Sequence, residues 1–128
     1  MTLKALPIAL AAAITLAGPA AAQSADTMRD GVGTWVTLGT SGGPVTNPGR
    51  SQPANLLRFA GKDYLVDVGD GAAGQISKVD VQSKMIDGIF ISHLHFDHTG
   101  GLAAILGLRF QTSGSDPLTI YGPPGTRE

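Results

Sequence analysis

Apolar and polar positions alternate along this chain in a way that predicts five short strands. Each predicted strand is a run of mainly β-branched, aromatic or aliphatic residues, and Gly, Pro, Asn or Asp lies close to most of the ends. The strands are predicted at residues 34–38, 55–59, 64–68, 86–92 and 118–121. Residues 61–63, Gly-Lys-Asp, predict a tight hairpin turn between the second and third strands. The fourth run has consecutive apolar residues and is typical of a buried strand.

Two segments have the period of a helix. Residues 72–79 have a weak helical pattern, and residues 99–108 predict a longer helix. The apolar face of the longer helix consists of Leu102, Ile105, Leu106 and Leu108. Because several strands come first and a strand–helix–strand order follows, we expect an α+β fold with a mixed sheet and flanking helices.

The first 22 residues have the pattern of an export signal. Lys4 supplies a positive charge, residues 8–17 form a short apolar run, and residues 20–22 are three alanines suited to cleavage. The apolar run is shorter than the roughly 20 residues that a membrane span needs. The sequence therefore predicts a signal peptide at residues 1–22, a flexible segment at 23–32 and a domain at 33–128. After cleavage this domain is expected to be periplasmic or secreted, with no membrane partner.

Charge and cysteine content narrow the possible chemistry. The chain has 9 Lys and Arg residues against 10 Asp and Glu residues, so it lacks the basic excess typical of nucleic-acid-binding proteins. It contains no cysteine, which excludes both disulfides and thiolate metal ligands. Any metal would be held by His and carboxylate side chains.

All three histidines of the chain lie within one six-residue window, His-Leu-His-Phe-Asp-His, at residues 93–98. In an extended segment alternate side chains point the same way, so His93, His95 and Asp97 would form one row. His98 would follow as the chain turns into the next helix. Clustered imidazoles beside a buried strand need polar partners or a metal. Imidazole nitrogen and carboxylate oxygen bind Zn²⁺ at about 2.0–2.2 Å, and the same set suits iron or manganese.

The window at residues 93–98 resembles the H-x-H-x-D-H signature of the metallo-β-lactamase fold superfamily. Three further stretches are similar to its ribonuclease Z-like and arylsulfatase-like branch. They are Leu-Gly-Thr at 38–40 with Gly-Gly at 42–43, Val-Asp-Val-Gly-Asp-Gly at 66–71, and the segment at 118–125. The resemblance implies that the chain is the N-terminal half of a metallo-β-lactamase-like αββα sandwich.

The same resemblance implies roles for the clustered residues. His93 and His95 would bind a first metal, and Asp97 and His98 would bind a second, with zinc as the favoured ion. Two metal ions can stabilise the attacking and the leaving oxygens of a hydrolysis. Asp97 would also handle the proton of the attacking water.

Several residues near the window are weaker candidates. Asp67 lies near the end of the strand predicted at residues 64–68, and Asp70 follows that strand. Asp67 would orient ligands through hydrogen bonds, or both residues would cap a turn before the next helix. Gly39 and Gly42 begin a loop that would approach the substrate closely, or would form a plain turn, since unusual backbone angles favour Gly in both cases. Phe96 differs from the small residue usual at this position in ribonuclease Z enzymes and is expected to face the core.

The resemblance implies further ligands that these 128 residues do not contain. They are another His, a bridging Asp and a final His, all beyond Gly125. Four ligands shared by two ions leave each ion short of the three or more protein ligands that zinc normally has. We interpret the chain as a fragment of a longer protein, or as one that completes its site with a second chain. Alone, it is expected to bind metal weakly and to hydrolyse little.

The leading functional hypothesis is an exported, dizinc hydrolase of phosphate or sulfate esters. Its expected partner is a small-molecule ester rather than a nucleic acid, because a signal peptide argues against transfer-RNA processing inside the cell. The alternative is a non-catalytic metal-binding or interaction fragment, which the missing second set of ligands favours.

Overall fold

The computed structural model describes residues 32–127, which form a five-stranded mixed sheet with helices packed on it. The strands are β1 (Thr34–Gly39), β2 (Ala54–Phe59), β3 (Lys62–Val68), β4 (Ile86–Phe90) and β5 (Thr119–Tyr121). The helices are α1 (Ala72–Ser77), α2 (Phe96–Thr99) and α3 (Leu102–Gln111), with a 3-10 helix at Ser83–Met85. The predicted signal peptide and nearly all of the predicted flexible segment lie outside the described residues.

The strands follow one another across the sheet in chain order. β1 and β2 are antiparallel, as are β2 and β3, whereas β4 pairs parallel with both β3 and β5. The predicted α+β class with a mixed sheet is therefore confirmed. None of the helices within residues 32–127 has the length and apolar character needed to cross a membrane.

The β2–β3 hairpin turns one residue earlier than the sequence predicts. Ala60 and Gly61 form the turn, with φ values of 50° and 76°, while Lys62 and Asp63 already belong to β3. A two-residue turn with positive φ at both positions matches the right-handed twist of paired strands. A positive φ is unfavourable for Ala60, but this conformation lets the two strands pair as far as Phe59 and Lys62.

The hydrophobic core lies between the sheet and the helices. It is built from alternate residues of the central strands and from the inner faces of α1 and α3. Its fully buried members include Leu56, Leu65, Ile76, Ile89 and Ile105. The opposite face of the sheet has an aromatic row across β3, β4 and β5, in which Phe90 stacks on Tyr121 at a ring distance of 4.8 Å and contacts Tyr64 at 5.9 Å.

The helix predicted at residues 99–108 is confirmed as α3, which begins and ends three residues later, and Gly100 and Gly101 separate it from the short α2. Gly101 donates its backbone N–H to the Val68 carbonyl oxygen at 2.8 Å, and a side chain at Gly101 would overlap the Gly69 carbonyl oxygen. This contact between main chains fixes the junction on the end of β3. The predicted start at Thr99 is wrong because helical period alone does not reveal a backbone contact of this kind.

The predicted apolar face of α3 is only partly correct. Ile105 is fully buried, but Leu106 and Leu108 are exposed. Arg109 is buried in their place. Its guanidinium donates to the backbone carbonyl oxygens of Ser83, Lys84, Ile86 and Asp116. Such a charged group can be buried because its donors are satisfied.

Candidate metal centre

The histidine cluster lies where the chain leaves β4 and enters α2. His95 has extended backbone angles and caps the start of α2, so Asp97 lies inside the helix. The expectation that Asp97 continues a row with His93 and His95 is therefore wrong, because alternation ends where the helix begins. The helical turn nevertheless brings the side chains together: the His93 ring lies 4.6 Å from that of His95 and 4.0 Å from that of His98.

Asp67 anchors this cluster from the neighbouring strand. β3 and β4 are parallel, so the carboxyl ends of the two strands lie at the same edge of the sheet. Asp67 is buried and has φ of 61°, an uncommon conformation for a residue other than Gly. Its Oδ1 accepts the Ser92 N–H at 2.8 Å, and its Oδ2 accepts the Ser92 hydroxyl at 2.8 Å and His98 Nδ1–H at 2.7 Å.

These hydrogen bonds select the tautomer that each of two imidazoles has as a metal ligand. The Asp67 carboxylate can only accept, so the ligand form of His98 has its proton on Nδ1 and leaves the Nε2 lone pair free. Ser92 donates its single hydroxyl hydrogen to Asp67 and can therefore only accept from His93 Nδ1, 3.1 Å away. His93 then also presents Nε2 as an electron-pair donor. Metal-binding histidines commonly have this arrangement, with the second ring nitrogen held by a carboxylate or another acceptor.

Asp97 and His98 form a second pair of electron-pair donors. Asp97 is buried, and its Oδ2 lies 3.6 Å from His98 Nε2. The same oxygen accepts the backbone N–H of Gly43 at 3.1 Å. A side chain at Gly69 would overlap the Asp97 carbonyl oxygen, so α2 sits directly on the end of β3. A carboxylate oxygen beside an unprotonated imidazole nitrogen is a favourable place for a cation.

The loop between β1 and β2 reaches this cluster through Gly43, the second residue of the Gly-Gly pair at 42–43. Gly39 instead packs against the backbone of Gln52, where a side chain would overlap the Gln52 carbonyl oxygen. A side chain at Gly42 would meet open space. The loop therefore contacts the predicted site, whereas Gly39 serves the packing of the loop ends.

Asp70 lies apart from the cluster. It is exposed, Gly71 is the N-cap of α1, and no side chain caps that helix. The alternative reading of Asp67 and Asp70 as helix caps is therefore wrong. Of these two carboxylates, only Asp67 reaches the histidines, directly at His98 and through the Ser92 hydroxyl at His93. The sequence reasoning missed Ser92, although its position at the end of the predicted strand and directly before His93 was an available signal.

The donor set suits a metal, but it is arranged in pairs. Within residues 32–127, no three His, Asp or Glu side chains are placed so that they could hold one ion. The available donors are imidazole nitrogens and a carboxylate oxygen, which is the chemistry that zinc accepts. The assignment of His93, His95, Asp97 and His98 as ligands stays a prediction, with two residues for each ion.

Phe96 lies on the solvent side of α2 and is 75% exposed, so the expectation that it faces the core is wrong. The buried residue of this short helix is Asp97. Phe96 borders a cavity of about 400 Å³. The other residues that line the cavity are Gly43, Pro44, Gln52, His95 and Asp97.

A family model described as "Anti-Pycsar protein Apyc1" matches residues 35–127. The chain belongs to this family. Among curated proteins, the ribonuclease Z of Bacillus thuringiensis (strain Al Hakam) is 41% identical over 97 residues, and the match covers 73% of this chain and 31% of that protein. The chain therefore spans about a third of the length of the curated relatives that it matches.

Solved structures agree with this family assignment. Human tRNase Z, short form, has a TM-score of 0.63 and 38% identity, and the match covers 75% of this chain and 37% of that one. The metallo-β-lactamase fold protein YhfI from Bacillus subtilis has a TM-score of 0.66 at 21% identity, covering 74% and 38%. These likenesses confirm the predicted fold, the N-terminal part of a ribonuclease Z-like metallo-β-lactamase fold, and its family of hydrolases.

The predicted partner, a small-molecule ester with no nucleic acid, is overturned by these relatives. They are named as ribonucleases, and the human protein as a tRNase. The prediction relied on the balanced charge of the chain and on the signal peptide predicted at residues 1–22. Net charge does not report where the basic residues of a chain cluster.

Proposed function

We propose that the full-length protein is a zinc-dependent phosphodiesterase that hydrolyses RNA, and that this chain supplies the N-terminal half of its metal site. The observation that carries the proposal is the 41% identity to ribonuclease Z. The family match at residues 35–127 contains the whole cluster and Asp67. RNA supplies the phosphate ester that such a site would hydrolyse.

The proposed roles follow from the resemblance of residues 93–98 to the family signature. His93 and His95 would hold one zinc ion, and Asp97 and His98 would hold the other. When bound, the two ions would supply electrostatic stabilisation of the attacking and leaving oxygens. Asp97 would accept the proton of the attacking water, because its buried carboxylate already lies beside His98 and is held by the Gly43 N–H.

We also propose export, on the basis of the pattern at residues 1–22 alone. An exported enzyme would meet RNA outside the cytoplasm rather than precursors inside it. Fractionation of cells, with mass determination of the mature N-terminus, tests this proposal separately. A protein that stays in the cytoplasm with residues 1–22 attached would contradict it.

The enzymatic test uses the full-length gene product loaded with zinc. Its substrates are a transfer-RNA precursor with a 3′ extension and an unstructured RNA of similar length. We expect cleavage of RNA by the wild type and a loss of at least about a hundredfold in Asp97→Asn, as expected for a residue that handles the proton. Asp70→Asn is the matched control, because Asp70 is an exposed carboxylate outside the cluster. A zinc-loaded wild type that cleaves neither RNA would contradict the proposal.

A further inference from the structure

An exposed aromatic ring stands between two of the predicted metal ligands. Phe96 is flanked in the chain by His95 and Asp97, and all three line the cavity of about 400 Å³. Three-quarters of the Phe96 residue is exposed, although its neighbour Asp97 is buried. The phenyl group is therefore accessible to a molecule bound in the cavity that these two predicted ligands line.

The ring has a defined place on the surface. One edge packs over Gly100, where an added Cβ would lie 2.8 Å from Phe96 Cε1 and 3.1 Å from Cδ1. The Gly100 backbone N–H also donates to the Phe96 carbonyl oxygen at 2.6 Å. Because Gly100 has no side chain, the Phe96 ring can pack against the main chain there.

The opposite side of the cavity is formed by the loop between β1 and β2. The Gly43 N–H bonds Asp97 and brings the neighbouring Pro44 into the lining. Two of the predicted ligands, His95 and Asp97, therefore share this cavity with two apolar residues, Pro44 and Phe96. Such a cavity suits a substrate that has an anionic group beside a flat apolar group.

We propose that Phe96 stacks on the nucleobase next to the phosphodiester that is hydrolysed. This inference rests on the proposed ribonuclease function. Base–aromatic stacking tolerates any sequence, because every base has a π-face, and it strengthens single-strand binding substantially for each stacked base. Phe96 is therefore a specificity-determining residue that favours substrates with a base at this position.

The test compares variants of the full-length gene product. Phe96→Ala removes the ring, Phe96→Leu keeps an apolar side chain without a π-face, and Phe96→Trp keeps a flat ring. Phe110→Ala is the matched control, because Phe110 is an even more exposed Phe on α3 that does not line the cavity. RNA binding is measured by fluorescence anisotropy without metal, and KM is measured with zinc. Each substrate is paired with one that is abasic beside the cleaved bond.

We expect Phe96→Ala and Phe96→Leu to raise Kd and KM roughly tenfold on intact RNA, and Phe96→Trp and Phe110→Ala to stay within about twofold of the wild type. On the abasic substrate all variants should bind alike. The inference is overturned if Phe96→Ala and Phe96→Leu bind intact RNA normally, or if they lose equal affinity for intact and abasic RNA. Equal loss with a lowered Tm would instead indicate that Phe96 stabilises the fold. A wild type that neither binds nor cleaves RNA contradicts the proposed function itself, whereas wild-type cleavage with unaffected Phe96 variants contradicts only this inference.

Discussion

His98 Nδ1 lies 2.7 Å from Asp67 Oδ2, across the parallel pair of strands that carries the candidate metal centre. This hydrogen bond leaves His98 Nε2 free on the side where Asp97 lies. The orientation of one predicted ligand is thus set by a carboxylate 31 residues earlier in the chain.

Asp67→Ala in the full-length protein should weaken zinc binding by about 10- to 100-fold, because the His98 ring loses the group that fixes its tautomer. Competition with a zinc chelator measures the affinity. Asp70→Ala, an exposed carboxylate on the same turn, should leave it unchanged. Equal zinc affinities of wild type and Asp67→Ala would show that the hydrogen bond does not position a ligand.

Ser92 should act on both imidazoles, because its hydroxyl lies between Asp67 and His93. Ser92→Ala is expected to weaken zinc binding by about tenfold, and Ser92→Thr, which keeps the hydroxyl, should restore most of the affinity. Chelator competition again provides the measurement, together with Tm. If the Thr variant binds zinc as weakly as the Ala variant, the hydroxyl is not responsible.

Gly39→Ala should destabilise the fold by about 1–3 kcal/mol, because the added methyl group would overlap the Gln52 carbonyl oxygen. Gly42→Ala, three residues along in the same loop, should change stability by less than about 0.5 kcal/mol, because its methyl group would meet open space. Urea denaturation of both variants checks the difference. Similar stabilities would argue against the packing of Gly39 described above.

Arg109→Met should lower the free energy of unfolding by roughly 3 kcal/mol, because buried carbonyl oxygens around α3 would lose their donor. Arg109→Lys should recover little, since a single ammonium group lacks the fork that reaches both ends of the contact. Arg50→Met, at an exposed arginine, is the control. Denaturation curves with unchanged midpoints would contradict the assigned role.

Residues 23–128 expressed alone should bind zinc weakly and cleave RNA poorly, because family resemblance implies further ligands outside them. Calorimetric zinc titration and the RNA assay compare them with the full-length protein. Equal activity would show that these residues, or a dimer of them, complete the site. Zinc binding without hydrolysis in both proteins would favour the alternative of a non-catalytic metal-binding protein.

The strands were predictable because their signal is local. Each was placed within a few residues, since alternation and turn residues report strands directly. The break at Gly100 and the burial of Arg109 were missed, because both depend on backbone atoms that are distant in sequence. Helical period favoured Leu108 for the core, but the carbonyl oxygens of Lys84 and Ile86 make Arg109 the better buried residue.

In the candidate site too, the local features could be predicted from the sequence and the long-range contacts could not. The window at residues 93–98 is recognisable from spacing alone, and the link from Asp67 to the window could be anticipated by resemblance. The hydrogen bonds of Ser92 and Gly43 could not be anticipated, because they depend on the parallel register of β3 with β4 and on the path of the loop after β1. Phe96 was misplaced because hydrophobicity does not say which side of a four-residue helix faces solvent.

Gly69 and Gly101 let the ligand-bearing turn rest on the end of β3 through contacts between main chains. This backbone packing does not depend on the size of neighbouring side chains. The relative positions of Asp97 and His98 should therefore tolerate substitutions in the core that alter stability, while either glycine is intolerant of any replacement. We therefore expect this protein to tolerate substitutions at many core positions but not at Gly69 or Gly101, the two residues that have no side chain.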